Sequence, residues 1–574
     1  MIRLAGEAFM AVRGVVAGWV RRVAARDGDP GLEVRQEGSG DQLVIRRGEE
    51  TLVRVTAEGG IAGPVRLVPQ SEPEAAAEGY AYYDSAEKRL RWHDGLAWRG
   101  SAAAGDNADI TSLSGLITPL DVAQGGTGGS TVAGARAKLG IGRSVFSALG
   151  RPMGCDVAAS DPDLRDFYGG FTDGVYGYLV PFGMGESRSG KVARLDLRDF
   201  ASVTSLDLTT AVRRLTFVAG KEGGIRRGDT VTGAISGATA TVAGVAVTSG
   251  AWATGDAAGD LYLRDQTGSF VAESLNAGGS VGIASVAGNS WESGLVGFLG
   301  GFTDGRYGYL VPQSGSDGLH GRAARIDLAD FASVEVIPLD TLPGSPKGFG
   351  GGFTDGVHAY FVPTFTGCFA RVKLANLDEM DALDLTALDG DLTGFVGGFT
   401  DGRYGYLVPW DHGARSGKVV RVDLTDFASV AVLNLAAFDS ELKGFIGGFT
   451  DGRYAYLVPY DNGQKSGKVA RVDLADFSSI TTLDLEAVDP DLKGFYGGFT
   501  DGRYGYFVPN AGAVAKLARV DLEDFSTVSI CDLTAVHPQM RGYCGGYVNG
   551  GYGYLVPSFA TTVARLQLGF GGGL

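Results

Sequence analysis

The sequence has few of the residues from which enzymes build reactive or metal-binding centres. Its 574 residues include only four cysteines and five histidines. The histidines fall in different parts of the chain and lack the spacing of metal ligands: His93, His320, His358, His412 and His537. No phosphate-binding loop or dinucleotide-binding glycine pattern occurs. We therefore expect no catalytic residues, no metal and no cofactor.

Excess positive charge and long apolar runs are also missing. The net charge is −16, which argues against nucleic acid as a partner because binding phosphates needs a basic surface. The longest uninterrupted apolar run is too short to span a bilayer, so we expect no membrane insertion. Cys155 and Cys531 occupy equivalent positions in neighbouring sequence repeats, too far apart for a bridge. The cysteines are therefore interpreted as small buried residues.

Glycine is abundant, with 93 residues, because the chain repeats one glycine-rich pattern seven times. Each copy contains a Gly-Gly pair followed by an aromatic residue, at Phe171, Phe302, Phe353, Phe399, Phe449, Phe499 and Tyr547. One interval contains an insertion, and the others are about fifty residues long, a period typical of β-propellers and β-solenoids. Four short strands are predicted per copy, and the Asp-Gly pair after the first strand predicts a hairpin turn.

The two ends of the repeat region complement each other. The seventh copy ends without a fourth strand, whereas Gly154 to Phe167 aligns with Ile530 to Tyr543, which contains a fourth strand. An orphan strand before the first copy predicts a closed ring, which removes the exposed edge of an open sheet. We therefore predict an all-β fold with a seven-bladed β-propeller. The motif Asp-Gly-Arg-Tyr-X-Tyr-Leu-Val-Pro followed by Val-Ala-Arg-Val-Asp-Leu resembles YVTN and lactonase-like propellers, and this resemblance fixes no function.

Two charged positions recur in the repeats and are interpreted structurally. An aspartate precedes glycine in six copies and asparagine replaces it in the seventh, which favours a role in the turn over catalysis. An arginine recurs in every third strand and is predicted to pair with a nearby carboxylate: Arg194, Arg325, Arg371, Arg421, Arg471, Arg519 and Arg565.

Three motifs before the repeats resemble bacteriophage tail-fibre proteins. The segment starting Glu50-Thr-Leu-Val-Arg-Val-Thr is similar to shaft repeats, and the segment from Glu78 to Trp98 resembles a hairpin of phage tail proteins. Ala123-Gln-Gly-Gly-Thr-Gly-Gly-Ser-Thr, followed by Ala133-Gly-Ala-Arg-Ala-Lys-Leu-Gly, closely matches a segment that lies in trimeric shafts in that family. The resemblance covers roughly residues 50–142.

This resemblance implies a phage tail-fibre or receptor-binding protein. It would be a homotrimer in the virion, assembled in the host cytoplasm, with tail or baseplate proteins and a host cell-surface glycan or protein as partners. The alternatives are a virion-associated enzyme that cleaves a glycan or lactone, and a purely structural tail component.

The chain divides into six predicted segments. They are an amphipathic N-terminal helix for virion attachment or self-association (1–32), β-rich fibre segments (33–100), a shaft or linker (101–143), the closing strand and blade 1 (144–214), an inserted β-barrel-like module (215–291) and blades 2–7 (292–574).

The variable loops predict where recognition takes place. In a four-stranded blade, the loops between strands two and three lie on the same face as the connections between blades. These loops vary in length and chemistry, whereas the turns of the opposite face are nearly uniform, and recognition is usually built from loops on a rigid scaffold. The candidate binding residues are Phe182, Arg188, Asp317, His320, Trp410, Asp411, His412, Arg415, Tyr460, Asp461 and Asn462.

Overall fold

The computed structural model describes residues 152–184, 187–510 and 514–568, and before them only the backbone of eleven short strands. The chain forms two compact units, Met1–Pro119 and Leu120–Leu574. Among the described residues, no helix has the length and apolar character needed to cross a membrane.

The described backbone of the first unit forms three small sheets. Their strands are Ile2–Leu4 and Ala8–Met10; then Arg21–Val23, Leu32–Arg35, Asp41–Arg47, Glu50–Thr56 and Ile61–Ala62; then Pro69–Gln70, Ala81–Asp84, Arg89–His93 and Trp98–Gly100.

The helix predicted for residues 1–32 is wrong where the backbone is described. Ile2–Leu4 pairs antiparallel with Ala8–Met10, and Arg21–Val23 pairs antiparallel with Leu32–Arg35. Ile2-Arg3-Leu4 alternates apolar and polar residues with the period of a strand. Gly6, Gly14 and Gly18 also weaken a helix, each by about 1 kcal/mol relative to alanine. The other residues of 1–31, and all of 101–143, lie outside the described residues.

The second unit is a seven-bladed β-propeller of four-stranded antiparallel sheets. The strands from the centre outwards are, in blade 1, Phe167–Thr172, Tyr176–Pro181, Lys191–Asp196 and Val203–Asp207; in blade 2, Phe298–Thr303, Tyr307–Pro312, Arg322–Asp327 and Val334–Pro338; in blade 3, Phe349–Thr354, His358–Pro363, Cys368–Lys373 and Met380–Asp384; in blade 4, Phe395–Thr400, Tyr404–Pro409, Lys418–Asp423 and Val430–Asn434; in blade 5, Phe445–Thr450, Tyr454–Pro459, Lys468–Asp473 and Ile480–Asp484; in blade 6, Phe495–Thr500, Tyr504–Pro509, Lys516–Asp521 and Val528–Asp532; and in blade 7, Tyr543–Asn549, Tyr552–Pro557, Thr562–Gln567 and Met153–Asp156.

Short helices follow the outer strands of six blades, and small hairpins extend two loops. The helices are Val157–Ala159, Leu208–Ala211, Leu339–Thr341, Leu385–Ala387, Leu435–Phe438 and Leu533–Val536. The hairpins pair Gly183–Met184 with Ser187–Arg188 and Ser314–Gly315 with Gly318–Leu319.

The ring closes as the sequence predicts. Met153–Asp156 pairs antiparallel with the third strand of blade 7, with Cys155 opposite Val563. The Val157 amide extends the ladder by donating to the carbonyl of Thr561 at 3.0 Å. Cys155 and Val157 are buried against the blade 7 core. The strand that precedes blade 1 in the sequence therefore supplies the outer edge of blade 7.

A ring of seven glycines lies where the innermost strands converge. Its members, here called the glycine ring, are Gly169, Gly300, Gly351, Gly397, Gly447, Gly497 and Gly545. All have positive φ, between 74° and 89°, and a Cβ on any of them would come within 2.7–3.7 Å of the Cα of the equivalent glycine in the next blade. Only glycine allows this conformation and this close approach of backbones.

The Asp-Gly aspartates hold the hairpin turn and a buried tyrosine together. In blade 5, the Asp451 carboxylate accepts hydrogen bonds from the amides of Arg453 and Tyr454, at 2.9 and 2.7 Å, and from the Tyr456 hydroxyl at 2.7 Å. The tyrosine–aspartate bond recurs at 2.7–2.8 Å in blades 1 to 6. These aspartates are turn residues, as predicted.

We expect Asp451→Ala to lower the free energy of unfolding by about 2–4 kcal/mol, because the variant loses the turn hydrogen bonds and leaves the buried Tyr456 hydroxyl unpaired. Burial and the Asp451 carboxylate already raise the pKa of Tyr456. Asp451→Asn keeps an acceptor for the two amides and should cost less. Thermal unfolding of both variants measures the difference, and equal losses would contradict this role.

The third-strand arginines stack on aromatic rings. Each guanidinium lies 4.1–4.9 Å from the centroid of a tyrosine in its own blade, a phenylalanine of the next blade, or both. The predicted carboxylate pairs occur for Arg325 with Glu335 and for Arg371 with Asp381. The prediction is wrong for four arginines, which form no ion pair with a described carboxylate: Arg194, Arg421, Arg471 and Arg565. Cation–π contacts there join neighbouring blades.

The insertion between blades 1 and 2 is a closed antiparallel barrel of six strands with one short strand added. The strands are Arg213–Gly220, Thr230–Gly233, Thr239–Ser249, Ala257–Thr267, Ala272–Ala277, Ser280–Ala287 and the added Trp291–Glu292. Closure results because the first strand pairs with both Ser280–Ala287 and Ala257–Thr267. The 3-10 turn Trp252–Thr254 covers one end, where Trp252 stacks on Phe217. The module prediction is confirmed.

Candidate functional site

The loops of the variable face are anchored by the connections between blades. In blade 4, the Gly394 carbonyl accepts the amides of Trp410 and Asp411 at 2.9 and 3.0 Å. The Gly444 carbonyl likewise accepts the amides of Tyr460 and Asp461 in blade 5. Backbone bonds therefore hold both loops in place, which lowers the entropy that a binding surface loses when a ligand orders it.

Five aromatic side chains from four blades form a continuous line on this face. This aromatic arc consists of Phe182, Tyr168, Tyr496, Tyr460 and Trp410, in that order. Successive ring centroids are separated by 4.7, 5.5, 5.6 and 5.2 Å. All five side chains are half-buried, so each keeps part of its ring accessible. The arc brings together residues from blades 1, 6, 5 and 4 that are far apart in the sequence.

The arc rests on aliphatic side chains around the propeller axis. Leu299, Val396 and Ile446 are buried beneath the rings and occupy the second position of their innermost strands. Tyr168 and Tyr496 hold the same position in blades 1 and 6. The sequence analysis did not identify any of these five residues. Each of them is the variable residue directly before the uniform Gly-Gly pair, and that position marks a side chain pointing into the mouth of the ring.

Three cations flank the aromatic arc. The Arg188 guanidinium lies 4.3 Å from the Phe182 centroid, the Arg415 guanidinium 3.9 Å from that of Trp410, and Lys465 Nζ 3.2 Å from that of Tyr460. Such cation–π contacts fix the orientation of the rings.

Arg415 also links two of the predicted loops. It forms an ion pair with Asp411 in its own loop, and its Nε donates to the Asp461 carboxylate of the next blade at 3.1 Å. Burial acts to raise the pKa of Asp461, but the hydrogen bonds from the Gly463 amide and from Arg415 outweigh it and lower the pKa of that carboxyl. By contrast, Arg188 and Lys465 form no direct ion pair with a described carboxylate, although the nearby Lys465 charge contributes to the lowered pKa of Asp461.

Four of the predicted residues do not join the arc. Asp317 is exposed in the blade 2 hairpin, and the His412 amide donates to the Ala414 carbonyl at 3.2 Å within its own loop. The Asn462 amide donates to the Glu441 carbonyl at 3.3 Å. His320 is buried, its Nε2 lies 2.8 Å from the Val296 carbonyl oxygen, and burial lowers its pKa to about 4. Packing against Phe298 holds the His320 ring inside the blade, away from the arc, and its binding role stays a prediction.

The described residues hold no group of three or more His, Cys, Asp or Glu side chains placed to bind a metal ion. All four cysteines are free, and Cys155, Cys368 and Cys544 are buried. Burial raises the pKa of Cys531 to about 11 and that of Cys544 to about 12. These thiols are therefore poor nucleophiles at neutral pH.

No family model and no curated protein matches the sequence. Among solved structures, the chain is similar to a virginiamycin B lyase from Staphylococcus aureus, with 10% identity, a TM-score of 0.36 and coverage of 62% of this chain and 99% of that one. It is also similar to BamB from Moraxella catarrhalis, with 13% identity, a TM-score of 0.34 and coverage of 74% and 99%. Similarities at this level carry no information on activity or ligand.

Proposed function

We propose that this chain is a phage tail-fibre or receptor-binding protein. Its N-terminal region attaches to the virion, and the aromatic arc contacts the host cell surface. The arc is the observation that carries the proposal. It combines half-buried aromatic rings, a scaffold that holds them in place and the cations Arg188 and Lys465, which form no direct ion pair with a described carboxylate, on the face whose loops vary most.

The chemistry of the arc suits a cell-surface glycan or a protein epitope. Aromatic faces present a large apolar surface with little conformational entropy to lose, and such residues dominate binding energies at interfaces. The tail-fibre motifs within residues 50–142 support the virion half of the proposal. A homotrimer would present three arcs, and several weak contacts made together would bind a cell far more tightly than one.

We expect the purified full-length protein to bind cells of a susceptible bacterial strain, found by screening a strain panel with labelled protein. Trp410→Ala combined with Tyr460→Ala removes two adjacent rings of the arc. This variant should lower adsorption by at least about 10-fold, since a central interface residue contributes on the order of 2 kcal/mol or more. Flow cytometry of labelled protein on cells measures the loss.

The matched control is Phe438→Ala, which removes an exposed aromatic ring from the outer part of blade 4. It should leave adsorption unchanged, and thermal unfolding verifies that both variants fold. Unchanged adsorption of the double variant would move the site away from the arc. Release of saccharide fragments from cells would support the enzyme alternative, and a monomer in light scattering would contradict the shaft.

A further inference from the structure

A polar cleft lies where the inserted barrel meets the helix Leu208–Ala211 that follows blade 1. Its volume is about 460 Å³, a size typical of small-molecule sites. Its polar lining includes Thr210, Arg213, Arg264, Gln266, Ser269 and Asn289. The aromatic arc contains none of these residues, so the cleft is a separate feature of the molecule.

A β-bulge shapes one wall of the cleft. Arg264 pairs with Thr241 and Thr267 pairs with Thr239, so two residues of the strand, Asp265 and Gln266, lie opposite one. Asp265 has a φ of 53°, a left-handed conformation that aspartate tolerates better than most residues. Residues 264, 265 and 266 all line the cleft. A regular strand would point alternate side chains away, so the bulge gathers polar groups at this point.

A network of hydrogen bonds braces the cleft around Arg213. Its Nη2 donates to the Ser290 carbonyl at 3.1 Å, and the Ser290 hydroxyl donates to Gln266 Oε1 at 2.8 Å. Gln266 Nε2 in turn donates to the Gly268 carbonyl at 2.9 Å. Arg213 is half-buried and forms no ion pair with a described carboxylate. The guanidinium is therefore positioned, with most of its N–H donors still available.

We propose that this cleft binds a hexuronate, a sugar whose carboxylate is held by Arg213. Guanidinium groups bind carboxylates through two parallel hydrogen bonds, a geometry that suits a fixed arginine. The side chains of Ser269 and Asn289 make no hydrogen bond with described residues and face the cleft, so they can bind the hydroxyls of the sugar ring. Arg264 is paired with Asp265 at 2.5 Å through one nitrogen, whereas Arg213 has no described carboxylate partner, which favours Arg213 as the anion-binding group.

Isothermal titration of the full-length protein with galacturonate, glucuronate and galactose tests the assignment. Galacturonate and galactose differ chiefly in the carboxylate, so one of the two uronates should bind at least about 10-fold more tightly than galactose. Arg213→Gln should weaken that binding by a similar factor. Arg226→Gln, which changes an exposed arginine of the same barrel, should not.

Several results would overturn the proposal. With the sugars, they are equal binding of galactose and the uronates, binding of neither uronate, or an equal loss in the Arg213 and Arg226 variants. Inorganic phosphate serves as a fourth probe. If it binds as tightly as the uronates, the cleft is an anion site without sugar specificity, and the assignment to a hexuronate is wrong. The proposal does not depend on the function of the aromatic arc, since failure of either test leaves the other result intact.

Discussion

Gly397→Ala is expected to destabilise the propeller strongly. The new Cβ would lie 2.7 Å from the Cα of Gly447, a backbone atom that cannot turn away as a side chain would. The φ of +87° adds strain of about 1–2 kcal/mol for any residue other than glycine. Overpacking adds about 1–3 kcal/mol, so the total loss is about 2–5 kcal/mol. Calorimetry of the full-length protein measures the fall in the unfolding temperature.

Two further glycines separate strain from collision. Gly402 has a φ of +96° but no atom near its would-be Cβ, so Gly402→Ala should show the backbone strain alone. Gly390 has neither a positive φ nor a close neighbour, and Gly390→Ala should be nearly neutral. We expect unfolding temperatures in the order Gly390→Ala, Gly402→Ala, Gly397→Ala, from highest to lowest. If Gly397→Ala unfolds no earlier than Gly402→Ala, the close approach of the innermost strands is wrong.

The sequence predicts the glycine ring and its closure because both depend on local, repeated requirements. A Gly-Gly pair in every copy indicates a backbone constraint, and the orphan segment near Cys155 aligns directly with a strand of another copy. The aromatic arc depends instead on distant residues that meet only in the folded ring. The position of Tyr168 and Tyr496 before the Gly-Gly pair indicates that they point into the mouth of the ring, but it does not indicate that these two rings, in blades 1 and 6, come within 5.5 Å.

The arginine prediction failed for a related reason. The recurrence of an arginine in every third strand predicts pairing with a nearby carboxylate. In the folded ring, however, the Asp-Phe turn of the following blade brings a phenylalanine over the guanidinium, as Phe525 does for Arg471 at 4.3 Å. A ring that contacts the guanidinium thus lies in the next blade for Arg194, Arg371, Arg421, Arg471 and Arg565. The residues of one copy indicate the strands and turns of its own blade, whereas the contacts between blades depend on residues of two copies.

Val157→Asp is expected to open the ring. Val157 is fully buried directly after the closing strand and packs in a core that includes Leu164 and Val563. A carboxylate there has no described cation beside it. Burying an unpaired charge costs more free energy than detaching a four-residue strand, so the strand is expected to detach. Loss of the closing strand exposes the edge of Thr562–Gln567, which invites association with other chains. Light scattering should therefore show aggregates.

A matched variant and a cross-link make the closure test decisive. Ala159→Asp adds the same charge to an exposed residue of the same short helix and should leave the protein soluble. Asp156 and Thr562 are directly opposite, and the Val157–Thr561 bond implies that they form a non-hydrogen-bonded pair. Their Cα atoms should therefore lie about 4.5 Å apart, a separation that a disulfide can bridge. Cysteines at both positions should form a bond that raises the unfolding temperature, because it ties the first blade to the last. If Val157→Asp stayed soluble and the two cysteines remained reduced under oxidising conditions, the closing strand would have to pair elsewhere.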